Sequence, residues 1–158
     1  MKNQIKSTLL LLFLLFAVNS RSSAQISSIT IGVDGFTCSL CAKGVEEQFK
    51  SLDFVQSVKT YLKKTEFVLT FKQNQKIVIS KIRDAVNDGG FTVRDVKIEA
   101  KGMIKGNPDS GYYLIAPEIP EIPLKDVSGK FSDGDKVSVK GIVNSSVSNI
   151  SVTSIKKL

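Results

Sequence analysis

The chain has 158 residues, with 22 Lys and Arg against 15 Asp and Glu, no His and two Cys. Without His, clustered carboxylates or a glycine-rich phosphate loop, the common acid–base and phosphoryl-transfer enzymes have no residues to work with. The charges are interspersed and no basic run resembles a nucleic-acid-binding arm, so nucleic acid is not an expected partner.

Lys2 and Lys6 give a positive start, Thr8 to Val18 is an almost pure apolar run, and Ser22-Ser23-Ala24 places small residues where a leader is cut. The pattern predicts a signal peptide over residues 1–24, cleaved near Ala24, and a secreted or periplasmic product. A bilayer-spanning helix needs roughly 20 apolar residues, more than this run supplies. Cleavage takes three basic residues and no acidic one, leaving 19 Lys and Arg against 15 Asp and Glu.

Ile29, Ile31 and Val33 alternate with Thr30 and Gly32 as in a half-buried strand, which Asp34-Gly35 ends. From Cys41 the apolar positions Val45, Phe49 and Leu52 recur at helical spacing, with Thr37 or Cys38 as the expected helix start. Val55 to Leu62 and Glu66 to Phe71 read as strands joined by the polar turn Lys63-Lys64-Thr65, hence an antiparallel hairpin. Ile79, Ile82, Ala85 and Val86 form a second helical stripe, closed by Asn87-Asp88-Gly89-Gly90, and Phe91 to Ile98 is a fourth strand. This order is the split βαβ, ferredoxin-like motif, so residues 27–99 are expected to fold as a βαββαβ domain with Ile31, Val45, Phe49, Val58, Leu69, Ile82 and Val86 in its core.

Gly102, Gly106 and Asn107-Pro108-Asp109-Ser110-Gly111 are dense in turn formers, and a linker is expected over 100–106. Beyond it, Tyr112 to Ala116, Lys136 to Asn144 and Ile150 to Lys156 read as short strands, with Pro117 to Pro123 as an extended crossing. The fold class is therefore α+β, the ferredoxin-like domain being followed over 107–158 by a small all-β module. Phe131 to Gly141 has a faint likeness to the pattern of OB-type barrels. Asp133-Gly134-Asp135 reads as a turn and not as a calcium loop, whose further acidic ligands are missing.

Both thiols lie in Gly35-Phe36-Thr37-Cys38-Ser39-Leu40-Cys41, where the first strand gives way to the first helix. Two Cys in an exported protein ordinarily read as one disulfide, but a bridge three positions long would staple almost nothing. The element order, this motif at its place in the order, and Gly90-Phe91 before the last strand resemble the heavy-metal-associated domain. That family includes soluble copper chaperones, the N-terminal modules of metal-pumping P-type ATPases and the periplasmic mercury-binding protein. The resemblance covers about residues 27–99. It implies that Cys38 and Cys41 are the metal-binding thiolates, that Phe36 replaces the usual methionine as an anchor beneath the loop, and that Phe91 flanks the site.

The chemistry of the residues agrees. Backbone N–H groups and the positive end of a helix dipole favour a thiolate, and soft thiolates select Cu(I)-like ions. Structural zinc wants about four N or S ligands, so Cu(I) ranks first, Hg(II) and Ag(I) next, and Zn(II) last. A two-coordinate site lets a partner thiol join the ion and leave with it; binding and hand-over, without catalysis, is the expected function. A metal-transporting membrane protein or another thiol metallochaperone is the expected partner, and the chain is expected to be a monomer. Two other readings use the same cysteines: a thiol–disulfide redox protein, or a degenerate structural or interaction module that has kept the fold and lost the task.

Overall fold

The computed structural model describes residues 25–35, 38–144 and 149–158. The leader expected over residues 1–24 and the anchor expected at Phe36 lie outside them. The first half runs β1 (Gln25–Asp34), α1 (Ser39–Lys50), β2 (Val55–Tyr61), β3 (Glu66–Phe71), α2 (Ile79–Asp88) and β4 (Thr92–Asn107). Four strands follow: β5 (Gly111–Ala116), β6 (Ile119–Lys125), β7 (Lys136–Val143) and β8 (Ile150–Lys157).

The alternation in β1 does what its period requires. Ile29 and Ile31 face the helices, paired with Leu69 and Phe67 of β3 on one side and with Ile98 and Val96 of β4 on the other. Ala42, Val45 and Phe49 of α1 and Ile82, Ala85 and Val86 of α2 close over that row. Phe49 meets Phe67 edge to face, with ring centroids 5.3 Å apart, the arrangement that aromatic quadrupoles prefer. Each large apolar side chain buried here contributes about 1.5–3 kcal/mol. Of the expected core, only Val58 stays half-buried, because β2 lies at the sheet edge.

The expected linker over 100–106 is corrected: β4 continues through it to Asn107. Ala100, Gly102 and Ile104 are buried while Lys101, Met103 and Lys105 are exposed, which is the strand period. Gly102 is there for close packing and not for a turn, since a Cβ on it would lie 2.5 Å from the Ile115 carbonyl oxygen.

Along one edge β4 pairs first with β1 and then, from Met103, with β5; along the other, Lys97 to Met103 pair with β7. With β5 on β6, β6 on β8 and β8 on β7, five strands close into a ring. Ile104, Leu114, Ile122, Val139 and Ile150 are buried among those strands. The proline segment, expected as an extended crossing, largely becomes β6, whose contact with β8 is parallel and confined to Leu124 and Lys125. Asp133 and Asp135 accept backbone N–H groups of Gly106 and Ser132 at 3.0 and 2.7 Å, as turn residues do.

The halves also touch away from β4. The Ile77 N–H donates to the Glu118 carbonyl at 2.7 Å, and Arg83 Nη2 donates to the Val143 carbonyl at 3.1 Å.

Candidate metal centre

The site begins with chain direction. β1 and β2 each run antiparallel to β3, so the end of β1, the turn after β2 and the start of β4 meet at one end of the sheet. The Val33 N–H donates to the Thr65 carbonyl at 2.9 Å, and Asp34 pairs with Thr92. Cys38, in extended conformation, is the N-cap of α1.

At an N-cap a side-chain acceptor takes one of the helix's unpaired N–H groups, a task usually given to Ser, Thr, Asp or Asn. Here the acceptor is sulfur: the Cys41 N–H donates to Cys38 Sγ at 3.1 Å. The Cys38 carbonyl accepts the Ala42 N–H at 3.2 Å, which fixes the first turn. No acidic residue lies in that turn, so no carboxylate competes with sulfur for the positive end of the helix.

The two residues differ in surroundings. Cys38 is exposed, whereas Cys41 is half-buried against the core and Leu40 between them is 79% exposed. The sulfurs are joined as a Cys38–Cys41 disulfide, with Cα atoms 5.4 Å apart. The reading of the two cysteines as one disulfide thus describes this structure, and thiols ready for a cation require reduction first.

Phe91 is half-buried and packs on the same core as Cys41. Its ring lies beside the start of the loop, since a Cβ on Gly35 would stand 3.6 Å from Phe91 Cδ1. Among the described residues no group of three or more His, Cys, Asp and Glu could hold a metal ion. What the end offers is a pair of sulfurs on a helix start, which suits a soft ion of low coordination number and suits zinc poorly.

One residue of this end is not visible in the motif. Arg94 Nη1 donates to Asp34 Oδ1 and to Thr65 Oγ1, each at 2.8 Å; Nη2 reaches the Lys64 carbonyl at 3.1 Å, and Nε reaches Asp95 Oδ2 at 3.2 Å. It ties together the three segments that carry the loop. Nothing near Cys38 in the sequence signals it, because Asp34 lies 60 positions from Arg94.

Residues 30–92 match the family model of the heavy-metal-associated domain. A human relative, copper-transporting ATPase 2, is 28% identical over 118 residues, which is 75% of this chain and 8% of the relative's length. Among solved structures, the CopZ metallochaperone is 27% identical with a TM-score of 0.40, over 42% of this chain and 98% of its own. A yeast copper transporter domain, solved in apo and Cu(I)-loaded states, is 24% identical with a TM-score of 0.38, over 45% of this chain and 92% of its own.

Proposed function

We propose, from the premise that residues 30–92 of this chain are a heavy-metal-associated domain, that the reduced protein binds one Cu(I)-like ion between Cys38 and Cys41 and passes it to a partner thiol. The observation that carries the proposal is the pair of sulfurs at the start of α1, one capping the helix and one in its first turn. The similarity to a copper-transporting ATPase supports copper before Hg(II), Ag(I) or Zn(II), and a metal transporter or another thiol metallochaperone is the partner proposed.

Loading takes two thiolates. A thiolate, and not a thiol or a bridged sulfur, is the ligand, so the bridge must first be open. The exposed side of Cys38 leaves room for a third sulfur, so the ion moves by exchange of ligands and no bond in a substrate is broken.

Export to an oxidising compartment belongs to the same proposal and rests on the leader-like residues 1–24. A Cys38–Cys41 bridge is what such a compartment favours. Among the described residues no helix is long and apolar enough to cross a membrane. The five-strand ring of β4 to β8 is read as an OB-type barrel, on the order of its pairings and the parallel β6–β8 contact; its part is to brace β4.

The test is Cu(I) uptake by the anaerobic, reduced chain against a competing chelator. One equivalent is expected, and none after Cys38→Ser with Cys41→Ser. Unchanged uptake in the double variant would overturn the assignment.

A further inference from the structure

The two sulfurs of the bridge are not equivalent, and their difference gives the site a second chemistry. We infer that the Cys38–Cys41 disulfide is opened by thiol–disulfide exchange in which an external thiolate attacks Cys38, not Cys41, with Cys41 as the leaving thiolate. The purpose of that exchange, readying the pair for a cation, rests on the metal-binding reading; the exchange itself does not.

Exchange requires the incoming thiolate to reach a sulfur of the bridge. Cys38 stands in solvent just outside the helix, while Cys41 is half-buried on the core side of the first turn. Access therefore selects Cys38.

The step balances. The thiolate of an external dithiol forms a bond to Cys38 Sγ as the Sγ–Sγ bond breaks, and Cys41 leaves as a thiolate that takes up a proton. The second thiolate of the dithiol then attacks its own first sulfur and releases Cys38. Two electrons pass from the dithiol, which ends as a disulfide, to the cysteine pair, which ends as two thiols. A sulfur held in the bridge cannot serve as a thiolate ligand, so the same pair alternates between bridge and metal site, and a dithiol reductant decides which.

The fold does not depend on the bridge. The core of the first half closes through β1, β3, β4 and both helices, so opening leaves the chain folded.

A monothiol traps the first step. The oxidised full chain is pulsed with reduced glutathione, quenched with acid, alkylated with a maleimide and mapped by fragment mass spectrometry. Glutathione on Cys38 and maleimide on Cys41 are expected. Glutathione chiefly on Cys41, an even split between the two, or a bridge that survives excess thiol overturns the inference. A parallel arm measures Cu(I) uptake before and after full reduction with dithiothreitol. A Cys38 adduct from a chain whose reduced form takes up no Cu(I) sinks the metal-binding reading and leaves the exchange standing. Equal uptake in both states sinks the alternation.

Discussion

Arg94 is held at the Cys-bearing end by a vacancy opposite it. A Cβ on Gly32 would come within 2.7 Å of Arg94 Nη2, so the missing side chain is what lets the guanidinium lie across β1 to Asp34 and Thr65. Its pairs are exposed and each is worth little alone, but one planar group joins three segments. Arg94→Ala should cost about 1 kcal/mol in urea unfolding. Hydrogen exchange should also speed up at the Val33 amide, which bonds Thr65; unaltered exchange there would show that the clamp does not hold the loop. A second residue gives a pH dependence. Glu46 accepts from Lys50 and, at 2.6 Å, from Thr60 Oγ1, which ties α1 to β2. These hydrogen bonds, the Lys50 one first, hold its carboxyl below the ordinary range. The folded state therefore binds the proton less tightly than the unfolded chain, whose glutamates titrate near ~4.3. The contribution is fully present above that value and fades as pH falls through the lower folded one. Thermal midpoints of Glu46→Gln should lie below the parent's at pH 7, with the gap closing in acid; a gap independent of pH would remove the carboxylate from the account.

At the scale of elements, α1 carries both Cys41 and a weakness, with Cys38 as its cap. Gly44 sits in its interior with nothing within 4 Å of where a Cβ would go, and a helix-interior glycine costs roughly 0.5–1 kcal/mol relative to Ala. Gly44→Ala should raise stability by about that amount with Cu(I) uptake unchanged, read by paired denaturation and chelator titrations. Loss of uptake would mean that flexibility of this helix serves the site. The same helix shows what a sequence can reveal. Val45 and Phe49 of the expected stripe are buried and Cys38 is the helix's cap, all of it information within a dozen residues, whereas Leu52 lies past the helix end and is half-buried and Ala42 is buried in its place. Strands β1 and β3 were legible for the same reason. The end of β4 was not: Gly102 and Gly106 look like punctuation when read locally, yet Gly102 lies where β5 passes too close for a side chain. Arg94 was equally hidden, because its partners at Asp34 and Lys64 come from 60 and 30 positions away. The bridge was legible only as one of several outcomes, since the residues that hold two thiols for an ion also bring them within bonding reach of each other.

For the whole molecule the decisive element is the strand that belongs to both halves. From Lys97 to Lys101, β4 has β1 on one edge and β7 on the other, and from Met103 its first edge passes to β5. Neither half therefore has a complete sheet without residues 97–107, and the ring cannot open at β4 without releasing the backbone that aligns β1. Two small units joined by a tether would melt separately; units sharing a central strand should melt together. The place to test this is Gly102, where a Cβ would meet the Ile115 carbonyl oxygen at 2.5 Å and Leu114 Cδ1 at 2.8 Å. Neither obstacle gives way easily, the first being backbone and the second the side chain of a fully buried leucine. Gly102→Val should cost about 2–3 kcal/mol, at the upper end of overpacking. If β4 couples the halves, exchange protection at Ile29 and Ile31 in β1, which Gly102 does not pair with, should fall along with that at Val139 and at Val137, its own partner in β7. Protection lost in the ring alone, with β1 unmoved, would mean that the sulfur-bearing half stands by itself and that the continuous strand joins two independent units.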